Sequence, residues 1–163
     1  MSPLRVALLA VLGVLSLAVP AGPVPPPDAW EWPISPTRVV RDWAAPPEPW
    51  SAGHRGIDLA VEPDDVLRAP ADGVVAFSGT VVDRVVVTID HGGGWVSTLE
   101  PVREPPAIGT IVRAGDAIAF VGTGGHTTPD AVHFGVRLDG EYINPLLLLD
   151  VVPRARLLPC CGP

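Results

Sequence analysis

Residues 130–140 read DAVHFGVRLDG, and their alternation decides the class of the fold. Side chains on a strand point to opposite faces in turn. Val132, Phe134, Val136 and Leu138 therefore share an apolar face, and Ala131, His133, Gly135 and Arg137 share the other. The first face reads as core. The second carries a histidine whose nearest same-face neighbours are a methyl group and a bare backbone. Asp139-Gly140 closes the strand with hairpin chemistry.

Outward from this strand the same texture repeats. GVVAFSGTVV, RVVVTID, WVSTLE and TIVRAGDAIAFVG are short runs rich in valine and isoleucine. Turns at Asp72-Gly73, Gly92-Gly93-Gly94 and Ala114-Gly115-Asp116 separate them. WEWPISPTRVVRDW, broken by Pro33 and Pro36, fits an edge strand, and AAPPEPWSAG a rigid loop. PLLLLDVV fits either a helical turn or a buried strand. No window of twelve residues carries clean helical periodicity, so the reading is an all-β domain over residues 29–152. VLRAPADGVVAFSG and IVRAGDAIAFVG echo each other and suit two related β-layers over one core. Biotinyl and lipoyl carrier domains share such glycine-punctuated hairpins but need a lysine for the cofactor, and this chain has none.

The ends read differently. A basic start at residues 1–5 and an uncharged apolar run at 6–19 precede Val19-Pro20-Ala21, the layout of a secretory signal peptide cleaved after Ala21. The run is shorter than the about 20 residues a membrane span needs, so no membrane association is expected after cleavage. Residues 22–28 form a proline-rich spacer and 153–163 a tail. Export suits a cell-envelope or secreted location. Eleven basic against eighteen acidic residues give a net charge of −7, with no basic cluster, which argues against nucleic acid. Cys160 and Cys161 are adjacent and cannot staple the domain at a distance.

Four histidines are present: His54, His91, His126 and His133. GHRGIDLA places His54 and Asp58 four apart with Gly56 between them. A straight strand would hold residues 54 and 58 roughly 13 Å apart, but Gly56 permits a bend and adds no side chain. An imidazole and a carboxylate converging in this way suit two ligands of a zinc site with three protein donors and an open position. His133 is the third candidate. His91, following a valine-rich run, reads as a turn-supporting residue.

HRGIDLA, followed by APADGVVAFSG, IDHGGG, VRAGDAIAFVG and YINPLLLL in that order, resembles the lysostaphin-type (LytM-like) zinc metallopeptidases. Members of that family cut peptide cross-links in bacterial cell walls. The resemblance runs from about Trp30 to Leu149. It implies antiparallel sheets forming a groove (a duplicated hybrid motif), one zinc per chain held by His54, Asp58 and His133, and peptidoglycan peptide as substrate. Zinc in such a site polarises a carbonyl and lowers the pKa of a bound water towards about 7.

The chain departs from that pattern at two catalytic positions. Ala131 stands where the first histidine of the family's H-x-H motif is expected, and Leu99-Glu100-Pro101 replaces a segment like Y-x-H-L. RDWAAPPEPW also stands in place of the motif that often precedes the first ligand. TLEPV and the altered H-x-H resemble exported actinobacterial members of the family. Glu100 and His126 are left as candidates to move a proton, each with the alternative of a solvated loop residue. The readings are therefore an exported zinc endopeptidase or a non-catalytic relative that binds cell-wall peptide or regulates another hydrolase.

Overall fold

The computed structural model describes residues 30–149 apart from Pro49, His126 and Pro129. The expected signal peptide, spacer and tail, with Cys160 and Cys161, lie outside the described residues, as does the candidate His126. No helix among the described residues is long and apolar enough to cross a membrane.

Among the described residues, eleven strands follow in chain order: β1 (Val39–Arg41), β2 (Ile57–Ala60), β3 (Val66–Arg68), β4 (Gly73–Val81), β5 (Arg84–Gly92), β6 (Trp95–Glu100), β7 (Val102–Arg103), β8 (Ile111–Val112), β9 (Ala117–Val121), β10 (Ala131–Leu138) and β11 (Glu141–Ile143). A 3-10 turn at Pro145–Leu147 gives the described part of PLLLLDVV a helical form; Asn144 caps it through Leu146 N–H. Every pairing between these strands is antiparallel. The large sheet runs β1-β2-β10-β6-β5-β4-β8, with β11 also on β10, and the small one runs β3-β9-β7.

The internal echo takes a different form from one layer per copy. β3 and β4 come from the first copy, β8 and β9 from the second. β3 pairs with β9 in the small sheet and β4 with β8 in the large one. Each copy thus spans both layers. The crossings are stitched by Ala69 N–H to the Asp116 carbonyl (2.9 Å), Gly115 N–H to the Ala69 carbonyl (2.9 Å) and Ala114 N–H to Asp72 Oδ1 (2.8 Å).

The core takes alternate residues from each strand. Val132, Phe134 and Val136 of β10 are fully buried, together with Leu99, Val87 and Val75 on neighbouring strands. They form one cluster with Leu67, Val102 and Ala119 of the small sheet. Full burial of such a side chain contributes about 1.5–3 kcal/mol. The opposite face of β10 is also covered: Ala131 is 1% exposed and His133 8%. Over His133 and Gly135 the cover includes His54, Arg55 and Gly56, in the segment that joins β1 to β2. That segment is pinned to itself by paired hydrogen bonds between Ala44 and His54 (3.1 and 2.8 Å), and it carries His54 to within 4.9 Å of His133, ring centre to ring centre.

Candidate metal centre

The site is assembled by strand register. His133 on β10 lies directly opposite Asp58 on β2 and, on its other side, opposite Glu100 on β6. Asp58, His133 and Glu100 thus form one row across three adjacent strands. His54 sits just before β2, and the chain bends at Arg55–Gly56 before the strand begins. A Cβ on Gly56 would lie 2.6 Å from His133 Cε1 and Nε2, and closer still to the Phe134 carbonyl oxygen. Gly56 therefore does more than permit the bend. Its missing side chain is the space that the His133 ring occupies.

The donor atoms converge. His54 Nε2 lies 2.9 Å from Asp58 Oδ1 and 3.1 Å from His133 Nδ1, and His133 Nδ1 lies 2.8 Å from Asp58 Oδ1. Tetrahedral zinc with bond lengths of about 2.0–2.1 Å separates its ligand atoms by about 3.3 Å, slightly more than these values. All three residues are at least nine-tenths buried.

The tautomer of His54 follows from its other nitrogen. Nδ1 is 2.7 Å from the Asp42 carbonyl oxygen, an atom that can only accept, so Nδ1 carries the proton and Nε2 presents a lone pair. That lone pair meets a carboxylate oxygen and a second imidazole nitrogen in one small volume. One shared proton cannot satisfy three acceptors; a cation can, so the donor set fits a metal ion. Burial by itself would raise the Asp58 pKa, but the His133 hydrogen bond and the two imidazoles outweigh it and hold the carboxyl below its usual range. Arg41 Nη1, on an exposed side chain, stands 3.9 Å from Asp58 Oδ2 and adds a weak field.

His54 and His133 line a cleft of about 280 Å³. Arg55, Arg84, Thr98, Glu100 and Tyr142 are among its lining residues. Glu100, a candidate to move a proton with the alternative of a solvated loop residue, is a buried end-of-strand residue held in an ion pair. Arg84 grips it with Nε to Oε2 at 3.1 Å and Nη2 to Oε1 at 3.2 Å, a bidentate charge-assisted pair. Arg84 is held in turn: a Cβ on Gly125 would lie 2.8 Å from its Cδ. Sequence reasoning missed Arg84, Arg55, Thr98 and Tyr142. Nothing in the local pattern of RVVVTID marks its arginine; only the hairpin register brings Arg84 to Glu100.

Ala131 shares a strand face with His133 but is buried and lies outside the cleft lining. His91 behaves as a structural residue. Its Nδ1 donates to the Asp72 carbonyl (2.7 Å), and its Nε2 is 2.7 Å from the Ser97 hydroxyl.

Comparison with known proteins agrees with this architecture. Residues 52–145 match the model of peptidase family M23. The chain is 34% identical over 135 residues to the uncharacterized protein Rv2891 of Mycobacterium tuberculosis, covering 78% of this chain and 54% of that one. It is 30% identical over 131 residues to the murein hydrolase activator NlpD of Salmonella typhimurium, covering 76% of this chain and 32% of that one. The chain thus spans about half the length, or less, of these two relatives. Among solved structures, a point mutant of the catalytic domain of the prophage-encoded M23 protein EnpA from Enterococcus faecalis superposes with a TM-score of 0.61 at 25% identity, covering 72% of this chain and 94% of that one. A match over more than half of its length, in sequence and in fold, establishes that this chain belongs to peptidase family M23.

Proposed function

We propose that the chain is an extracytoplasmic zinc metalloendopeptidase acting on the cross-link or stem peptides of peptidoglycan, with one zinc held by His54 Nε2, Asp58 and His133 Nδ1. The observation that carries this reading is the convergence of three buried potential ligand atoms, with His54 and His133 lining an open cleft. When bound, zinc supplies Lewis acidity towards a peptide carbonyl and acidifies a water molecule. The remaining work falls to this chain's own groups. Asp42's carbonyl fixes the His54 ring so that its lone pair stays on the site. Glu100 keeps a further lone pair on each oxygen after Arg84 has taken one, so it can still accept a hydrogen bond or a proton from a group in the cleft. Thr98 adds a hydroxyl to the same wall.

A second reading has a specific observation behind it. Ala131 offers no base, and Glu100 is engaged by Arg84 on both oxygens. A cleft furnished in this way also suits a module that binds wall peptide or controls another hydrolase. Incubation of the zinc-loaded protein with purified peptidoglycan separates the two. The peptidase reading expects new amino termini, abolished by a chelator and restored by zinc. A zinc-loaded protein that releases none from several wall chemistries, yet co-sediments with them, supports the binding module.

A further inference from the structure

A second hollow adjoins the cleft. Its volume is about 370 Å³, within the range of about 300–1,000 Å³ typical of small-molecule sites. Trp43, Pro46, Pro47 and Tyr142 wall it, with Glu48 and Glu141 at its sides, and it shares Arg55 and Tyr142 with the cleft. The two therefore form one continuous surface. Trp43 is partly buried against the core and so held in place. Tyr142 is 43% exposed, with the Arg137 guanidinium 5.7 Å from its ring centre. Trp50, on the loop that carries Pro46, Pro47 and Glu48, is 83% exposed.

The lining chemistry discriminates between occupants. A peptide that adds as a strand is bound chiefly through backbone hydrogen bonds, and the prolines of this wall have no N–H to give. A pyranose ring presents flat C–H faces that stack on aromatic rings. Its hydroxyl and acetamido groups, spaced around the edge, pair with carboxylates and a guanidinium. We propose that this hollow binds an N-acetylhexosamine unit of the glycan strand whose attached peptide enters the cleft. The inference rests on the reading of peptidoglycan as the polymer, and adds its sugar chain to the peptide as a recognised part.

The test is isothermal titration of the full chain with tetra-N-acetylchitotetraose, in parallel with the peptidoglycan assay above. Saturable binding is expected, undiminished by a chelator. Tyr142→Ala should weaken it about three- to tenfold, whereas Tyr142→Phe, which keeps the ring, should retain most of it. Because Trp43→Ala risks the fold, Trp43→Phe serves as the companion variant and should weaken binding less than Tyr142→Ala. No saturable binding to the unmodified protein, or full binding by Tyr142→Ala, would overturn the site. Peptide release without sugar binding removes this inference alone. Sugar binding without release removes the peptidase and leaves the hollow standing.

Discussion

Two histidines in this protein are anchored alike and end up with opposite characters. His54 and His91 each place Nδ1 2.7 Å from a backbone carbonyl, of Asp42 and Asp72 respectively, which assigns the proton to Nδ1 in both. The difference lies at Nε2. In His91 it meets the Ser97 hydroxyl, a group that can donate, so the ring is satisfied within the protein. In His54 it meets a carboxylate oxygen and another imidazole. Burial and anchoring therefore do not by themselves mark a candidate metal site. What separates the His54 cluster from His91 is a crowding of lone pairs that a bound cation can resolve.

The comparison breaks most readily at His133. Removing its imidazole leaves two protein donors, too few for a closed or a catalytic zinc site. Bound zinc in His133→Ala is expected to fall from about one per chain to near zero. The rise in Tm that zinc gives the parent by binding only the folded state should vanish with it. Elemental analysis and a thermal scan with and without zinc provide the readouts. Zinc retained at full stoichiometry would mean that the three atoms are not the ligand set. His91→Gln, by contrast, should leave zinc content unchanged, since His91 lies outside the set.

Gly56→Ala comes next, and it tests how the set is packed and not which atoms belong to it. The added methyl would contact the His133 ring and the Phe134 carbonyl at distances that side chains do not tolerate. The carbonyl is main chain and cannot swing aside. Overpacking of this kind costs about 1–3 kcal/mol or more. The variant should melt well below the parent, and its zinc affinity should fall even at temperatures where it remains folded. A variant with parental Tm and affinity would show that β2 and β10 can part there without loss.

How much of this was legible beforehand follows the range of the interactions. The alternation in DAVHFGVRLDG and the glycine turns are local, and they led directly to antiparallel β structure. His54, Asp58 and His133 were legible as a set through their residue types and the resemblance to lysostaphin-type peptidases. Their approach depends on a register, Asp58 opposite His133, that the sequence does not print. The Arg84–Glu100 fork was hidden for the same reason: its partners lie on different strands, and neither has a local pattern that demands the other. Periodicity also marks the second face of β10 only as small and polar; that His54 and the segment before β2 lie over His133 is a long-range fact. The internal echo was visible, but its exchange of strands between layers was not.

The smallest effect lies at His91 and sharpens the comparison from its satisfied side. Burial lowers the pKa of this imidazole below its ordinary 6.5, against the opposing Asp72 hydrogen bond and the nearby carboxylates. In that case the unfolded chain takes up the proton first as the pH drops through 6.5, so acid favours unfolding. The contribution of His91 is complete above the unfolded value, declines as pH falls towards the folded value, and is constant below it. The slope is at most about 1.4 kcal/mol per pH unit. His91→Gln should lower Tm at neutral pH, because the Asp72 and Ser97 hydrogen bonds are weakened. It should also flatten the decline in Tm between about pH 7.5 and pH 5.5 relative to the parent. An unchanged decline in the zinc-free protein would show that the buried His91 imidazole is not the source of that acid sensitivity.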